Sequence, residues 1–280
     1  MTGMCTYVTL SNGVQVPQLG IGTAGAKDSH EVVQNIKWAV NAGYRHIDTA
    51  HLYKNENCIG QGIRECGVPR SEIFVTTKLW NYDHGYDSAL AAFEQSRQAL
   101  GVEYVDLYLI HWPGPNRSYI ETWRAFEKLY EMKKVRAIGV SNFQQHHLED
   151  LLANCKVPPM VNQVEMHPHF QQKALRAYCT EKNIVVTAWR SLGKGSLLTE
   201  PQLMEVAEKH KKSTAQVIIR WLIQLGIIVI PKSSHEGRIK QNFDVFDFEL
   251  SSEDMRKLES MDKNSRIGAN PDTFFPTERN

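Results

Sequence analysis

Four side chains of the kinds that move protons stand at the ends of consecutive apolar runs. Asp48 and Tyr53 follow GYRHI, Lys78 lies within FVTTKLW, and His111 closes YVDLYLIHW. A lysine in the context FVTTKLW is drawn into an apolar interior, where an ammonium needs a partner. Asp48 can be that partner, and the pair then faces the phenol of Tyr53. A cation about 4 Å from a tyrosine, at an effective dielectric near 20, favours the phenolate by ~4 kcal/mol, about three pKa units before desolvation takes some back. The expectation is a phenol acidic enough to work near neutral pH, with a neutral His111 orienting a carbonyl oxygen beside it. This suits carbonyl reduction: a hydride arrives at carbon while Tyr53 protonates the developing alkoxide.

Those side chains meet only if neighbouring strands deliver them to one end of a sheet. After a hairpin signal, Asn12-Gly13 between TYVTL and VQVPQL, eight β-rich runs recur: LGIG at 19–22, then 43–50, 73–80, 104–112, 135–142, 159–168, 184–189 and 227–233. Between them lie segments of helical period; Val32, Val33, Ile36, Ala39 and Val40 mark one face of the first. Ser213 to Gln216 has capping-box spacing before VIIRWL, and Ser251 to Asp254 opens a last helix beyond the eighth strand. Eight such units about 30 residues apart predict a closed (β/α)₈ barrel with an N-terminal hairpin and a short C-terminal tail, one domain over residues 1–280. Active sites of such barrels lie at the carboxyl ends of the strands, where all four residues fall.

A second constellation fits an anion. Lys232 and Arg238 flank the turn after the eighth strand, where backbone N–H groups and two cations suit a phosphate. Trp80, Trp112 and Phe275 are candidates to line an apolar substrate pocket.

Other readings compete. Gly20-Ile-Gly22-Thr-Ala-Gly25 matches GxGxxG ahead of a helix, with Asp48 where a ribose-binding acid of an open-sheet dehydrogenase would sit. Against it, Pro17 interrupts the preceding run and the alternation continues unchanged to residue 233. His46 with Asp48, and Glu165 with His167, offer pairs of potential metal ligands, yet Lys78 would then need another role, so no metal is expected. His146-His147 falls at a helix start and is expected to face solvent. No serine sits in a GxSxG elbow. A cofactor-binding sensor or partner subunit with incidental chemistry is a further alternative, against which the four proton-moving residues count.

Composition narrows the partners. With 42% apolar and 22% charged residues the chain is of ordinary globular type, and 32 basic against 31 acidic residues give a net charge of +1 without long one-sign runs, which disfavours nucleic acid and anionic membrane. Five cysteines, at 5, 58, 66, 155 and 179, form no CxxC or zinc spacing, which fits a reducing compartment. No stretch reaches the roughly 18 apolar residues of a membrane span. A cytoplasmic monomer acting on a small-molecule carbonyl substrate is expected.

The segments GYRHIDTAHLYKNE, VTTKLW, LYLIHWPG, RAIGVSNF, VNQVEMHP and IPKSSHEGRIKQNF together make the sequence resemble the aldo-keto reductase family from residue 6 to about 275. The resemblance implies a catalytic tetrad of Asp48, Tyr53, Lys78 and His111, with Tyr53 the general acid. It also implies NADPH/NADP+ extended across the barrel mouth. Ser141, Asn142 and Gln163 would hold the nicotinamide carboxamide, and Trp189 would stack on the ring. Gly22, Thr23, Asp48 and Leu192 would lie along the cofactor, and Lys232, Ser233, Arg238 and Asn242 would hold the adenosine 2′-phosphate and adenine.

Two departures stand out. Ala24 replaces the tryptophan frequent in the family's first loop, which predicts a wider substrate pocket on that side. Arg190-Ser191 replaces Ser-Pro, so the loop is less constrained and Arg190 is expected on a cofactor phosphate. The short connection after His111 and the brief tail resemble compact microbial and protozoan members, among them diketogluconate reductases and trypanosomatid prostaglandin F synthases. Substrates implied range over small aldehydes, ketones, sugar-derived carbonyls, quinones and a prostaglandin endoperoxide.

Overall fold

The computed structural model describes residues 5–26 and 29–276. It opens on an antiparallel hairpin of β1 (Tyr7–Thr9) and β2 (Gln15–Pro17). Asn12-Gly13 turns it as expected: Gly13 has φ of 85°, a conformation that favours glycine, and its N–H donates to Leu10 O at 2.9 Å. Leu10 and Val16 are buried, and Gln18 Nε2 donates to the carbonyls of Ile223 and Ile227, so the hairpin plugs the N-terminal end of the sheet that follows.

That sheet has eight parallel strands in chain order: β3 (Ile21–Gly22), β4 (His46–Asp48), β5 (Phe74–Leu79), β6 (Val105–Ile110), β7 (Val135–Ser141), β8 (Val161–Glu165), β9 (Val185–Trp189) and β10 (Ile228–Val229). Bridges from Leu19 to Val229 and from Gly22 to Lys232 join the last strand to the first, so the sheet closes on itself. The end strands are shorter than their β-rich runs because Pro231 has no N–H to give to the ladder. Gly20 is required by closeness of a different kind: a Cβ there would lie 2.8 Å from the His46 ring. Gly20 and Gly22 therefore belong to the closing seam of a barrel, and the open-sheet dehydrogenase reading is set aside.

Helices α1 (Ser29–Ala42), α2 (Glu56–Glu65), α3 (Tyr86–Leu100), α4 (Tyr119–Glu131), α5 (Gln145–Asn154) and α6 (Lys173–Glu181) connect the first seven strands. The stripe of Val32, Val33, Ile36, Ala39 and Val40 on α1 is buried as its period predicts. Two helices, α7 (Pro201–His210) and α8 (Thr214–Gln224), share the connection to β10, and α9 (Glu236–Phe243) and α10 (Ser252–Glu259) follow it. Both predicted capping boxes form: Ser213 Oγ accepts from Gln216 N–H, and Ser251 Oγ from Asp254 N–H. β4, β5, β6 and β8 are buried along their whole length, including the polar positions His46, Asp48, Lys78 and Asp106. Buried polar groups require partners, and at the carboxyl ends of the strands they find each other.

Candidate active site

Lys78, next to last in β5, is fully buried with 0% of its surface exposed. Its ammonium donates to Asp48 Oδ1 at 2.5 Å and to Thr49 O at 2.8 Å, while Gln163 Nε2 on β8 donates to Asp48 Oδ2 at 2.8 Å. The ion pair read from the sequence is therefore present, with both carboxylate oxygens occupied. Burial works against the ammonium, yet Asp48 and then Tyr53 outweigh it, and the Lys78 pKa ends above that of an ordinary lysine.

Tyr53 reaches the pair from a single 3₁₀ turn, His51–Tyr53, that the chain closes by placing Lys54 at φ of 54°. Its ring lies 5.4 Å from the Lys78 ammonium and meets the His111 ring edge-on at 5.8 Å. Here the structure corrects the electrostatic expectation. Burial pushes the phenol above its usual value; Lys78 pulls it down, but Asp48, which keeps Lys78 charged, pushes it up again. The cation alone would lower the phenol's pKa, but burial and the carboxylate behind the cation outweigh it. His111, directly after β6, is 7% exposed, and burial followed by the Lys78 charge holds its imidazole well below the ordinary histidine pKa, neutral as expected. Its Nδ1 is buried without a partner among the described residues.

A second chain of hydrogen bonds runs along the neighbouring strand ends. Ser141 Oγ donates to Gln163 O, Asn142 Nδ2 donates to His111 O, and Trp189 Nε1 donates to Asn142 Oδ1 at 2.9 Å. Asn142 has φ of 63°, a left-handed conformation that asparagine tolerates. Ser141, Asn142, Gln163 and Trp189 are thus brought together beside the Asp48–Lys78 pair.

Thr23 donates to Asp48 O from both N–H and hydroxyl, fixing the loop after β3 against β4. Gly22 leaves room for the opposite strand: a Cβ there would be 2.8 Å from Ile230 O. Gly22, Thr23, Lys232 and Ser233 line one shallow depression together with the buried, unpartnered Asn35 Oδ1. Lys232 and Arg238 are exposed and enter no ion pair among the described residues. Asn242 is buried in the last turn of α9.

After β9 the loop tightens. Arg190 is held at φ of 56°, Gly193 N–H donates to Arg190 O at 2.8 Å, and Leu192 leads into a 3₁₀ turn over Gly193–Gly195. The Arg190 guanidinium lies 5.0 Å from the Trp189 ring, and Arg190 Nη1 and Ser191 Oγ are both buried without partners among the described residues. A cation and a hydroxyl held without partners beside Trp189 make a fitting place for an anionic group.

Trp80 meets His111 edge-on at 5.2 Å, and Trp112 lies 6.4 Å from Trp189. The aromatic that completes this wall is Phe274, 4.5 Å from Trp112 and 6.4 Å from Trp80, and not Phe275, which is 40% exposed. A turn in which Phe274 N–H donates to Asn270 O points residue 274 inward and its successor out. Ala24 sits on an exposed turn.

Glu165, a potential metal ligand by its spacing from His167, is bonded by groups of the protein itself. It is 0% exposed and accepts from His167 and from the backbone N–H groups of Ile267 and Gly268, both at 2.7 Å, which ties the tail to β8. His46 likewise is bonded within the protein, to Pro17 O and Thr76 Oγ1. The alternation of VNQVEMHP marks Gln163 and Glu165 as same-face neighbours, but Gln163 meets Asp48 while Glu165 meets the distant tail.

Comparison with known proteins agrees with this geometry. Residues 18–263 match the model of the Aldo/keto reductase family. The chain is 57% identical over 277 residues to the 9,11-endoperoxide prostaglandin H2 reductase of Trypanosoma cruzi, covering 97% of this chain and 98% of that protein. It is 53% identical over 274 residues to the glyoxal reductase of Bacillus subtilis, covering 98% and 99%. A crystal structure of a mutant of Gox0644 in complex with NADPH superposes with a TM-score of 0.92 at 46% identity, covering 96% of this chain and 98% of that chain. The chain belongs to the aldo/keto reductase family and is an oxidoreductase of that family.

Proposed function

We propose that the protein reduces aldehydes and ketones with NADPH, Tyr53 acting as the general acid. The observation that carries the reading is the buried Lys78–Asp48 pair facing a phenol and a neutral imidazole at one end of the barrel.

The residues present fit the cofactor. Ser141, Asn142 and Gln163 offer amide and hydroxyl groups to a carboxamide, and Trp189 offers a ring face. Arg190 and Ser191 would take the phosphates with their unpartnered atoms, Gly22, Thr23 and Leu192 would border the chain of the molecule, and Lys232, Ser233, Arg238 and Asn242 would take its adenosine 2′-phosphate end. NADPH supplies a hydride when bound.

The protein side of the reaction is proton delivery. A carbonyl oxygen seated between Tyr53 and His111 receives a hydrogen bond from each, since a neutral imidazole can donate without adding charge. As negative charge builds on that oxygen, its conjugate acid becomes that of an alcohol, a weaker acid than even a phenol raised by burial, so the phenol gives up its proton. The phenolate left behind is met by the Lys78 ammonium, which Asp48 keeps charged. A raised phenol pKa has a use here: the acid stays loaded until the alkoxide forms.

Trp80, Trp112 and Phe274 make the wall facing the substrate apolar, which favours aldehydes and ketones with hydrophobic bodies. The resemblance to a prostaglandin endoperoxide reductase and to a glyoxal reductase brackets the sizes to be tried. Purified protein with NADPH and a panel of aldehydes, quinones and an endoperoxide tests the reading. Tyr53→Phe should lower turnover by about two to four orders of magnitude while NADPH binding persists. Full turnover in that variant would overturn the assignment of the acid.

A further inference from the structure

The tail that carries Phe274 meets the barrel at a second place, away from Glu165. His146 and His147 lie in the first turn of α5, and Asp272 projects to them from the tail. His146 Nε2 is 3.1 Å and His147 Nε2 3.6 Å from the same oxygen, Asp272 Oδ1. The two imidazoles stand 4.0 Å apart between centroids, and the three donor atoms lie within 4.8 Å of one another.

Neighbours on a helix ordinarily point about 100° apart, so two adjacent imidazoles converging on one carboxylate is an uncommon arrangement. Ligands about 2.05 Å from a tetrahedral ion stand about 3.4 Å from one another, close to two of the separations already present. The carboxylate is also oriented from behind: Gln144 Nε2 donates to Asp272 Oδ2 and to Asn270 Oδ1. A held outer-sphere partner of this kind is what a metal-binding carboxylate usually has.

We propose that His146, His147 and Asp272 form a binding site for a divalent transition-metal ion of intermediate softness, such as Zn²⁺, Co²⁺ or Ni²⁺. Two imidazoles and one carboxylate select that class over Mg²⁺ or Ca²⁺, which prefer all-oxygen shells. Three protein ligands leave the fourth position to water.

Binding has a defined local cost. His147 Nδ1 accepts the backbone N–H of Gln144 at 3.2 Å, closing a capping box, so without metal the ring proton sits on Nε2 and faces Asp272. The ion takes the Nε2 lone pair, the same proton moves to Nδ1, and the Gln144 N–H turns to water. No proton is gained or lost by the neutral ring in this exchange. What the ion secures is the join between α5 and the tail, two residues before Phe274. If the proposed carbonyl pocket is correct, the ion fixes one of its walls, but the binding itself is independent of that reading.

The test is titration of tag-free, metal-stripped full-length protein with Co²⁺, followed by calorimetry and visible absorption. One equivalent should bind, and His146→Ala and Asp272→Ala should each weaken binding by about tenfold or more. Both residues are largely exposed, so the variants are expected to fold, which circular dichroism checks. Metal should also slow trimming of the tail by carboxypeptidase in the parent protein and not in the variants. Failure to reach saturation below millimolar Co²⁺, or binding undiminished in the double variant, overturns the proposal. So does a thiolate charge-transfer band, which would place the ion on cysteine.

Discussion

The Lys78–Asp48 pair permits a test in which the sign of the effect, and not only its size, is set by the structure. At 2.5 Å and an effective dielectric near 20, the Coulomb attraction is about 7 kcal/mol. Removing two ions from water costs several kcal/mol each, so the intact pair contributes little net stability, whereas either charge left alone in the barrel is expensive. Asp48→Asn leaves an ammonium with 0% exposure facing Thr49 O and a neutral amide. Lys78→Met leaves a carboxylate held only by Gln163 on its other oxygen. Each single variant should lose about 3–5 kcal/mol, a fall in Tm of roughly 6–15 °C. The double variant, with no charge to strand, should be no less stable than either single one. Urea unfolding followed by tryptophan fluorescence reads all four corners of the cycle. Additivity within about 0.5 kcal/mol, or single losses under about 1 kcal/mol, would show that neither group is truly buried as a charge and would refute the reasoning.

Three further outcomes are expected. The kcat/KM for reduction should be level from about pH 6 to about pH 9, because burial and the Lys78 charge keep His111 neutral over that range while burial raises Tyr53 above 10, so the acid form is lost only on the alkaline side; a falling limb between about pH 7 and 9 that vanishes in Tyr53→Phe residual activity would contradict it. Arg190→Ser should weaken NADPH binding about tenfold or more and reduce its salt dependence, since a charged hydrogen bond contributes about 1.5–3 kcal/mol; an unchanged dissociation constant refutes the phosphate contact. In Gly268→Ala the new Cβ would overlap Glu165 Oε2 and lie 2.6 Å from Trp189 Cη2. The resulting overpacking costs about 1–3 kcal/mol and should raise KM for bulky substrates more than for glyoxal-sized ones, and equal KM values would dissociate the tail from the pocket.

Much of this was readable because the barrel repeats one local rule. Lys78 in FVTTKLW and Asp48 in HID are each polar groups inside runs too apolar to leave them unpaired, and in-register parallel strands leave few partners within reach. The capping boxes at Ser213 and Ser251 were legible for the same reason, since every atom involved lies within four residues. The tail is the contrary case. Phe274 and Phe275 are equivalent by composition, and only the turn made by Asn270 decides which one faces Trp112. Glu165 looked like half of a metal pair because the N–H groups it holds belong to residues about one hundred positions later. The direction of the Tyr53 shift is not legible in the sequence because the balance of burial against charge depends on depth, which pairwise spacing does not contain.

The turns that present the site at the carboxyl ends of the strands depart from ordinary local rules. Lys54, Asn142 and Arg190 are non-glycine residues at positive φ, and they fall in the turns after β4, β7 and β9. Each such turn is less favourable than an ordinary one, and the fold holds it through contacts elsewhere, above all the closed ladder below. Lys54 ends the 3₁₀ turn that presents Tyr53, Asn142 joins His111 to Trp189, and Arg190 brings a cation onto the Trp189 ring. His111 Nδ1, Arg190 Nη1 and Ser191 Oγ, buried and unpartnered, lie among these same turns. Left-handed residues also occur where the chain enters strands, as at Lys133 before β7 and Asn183 before β9, but only at the carboxyl ends do they stand beside the unpartnered donors that the proposed reaction would set against a ligand.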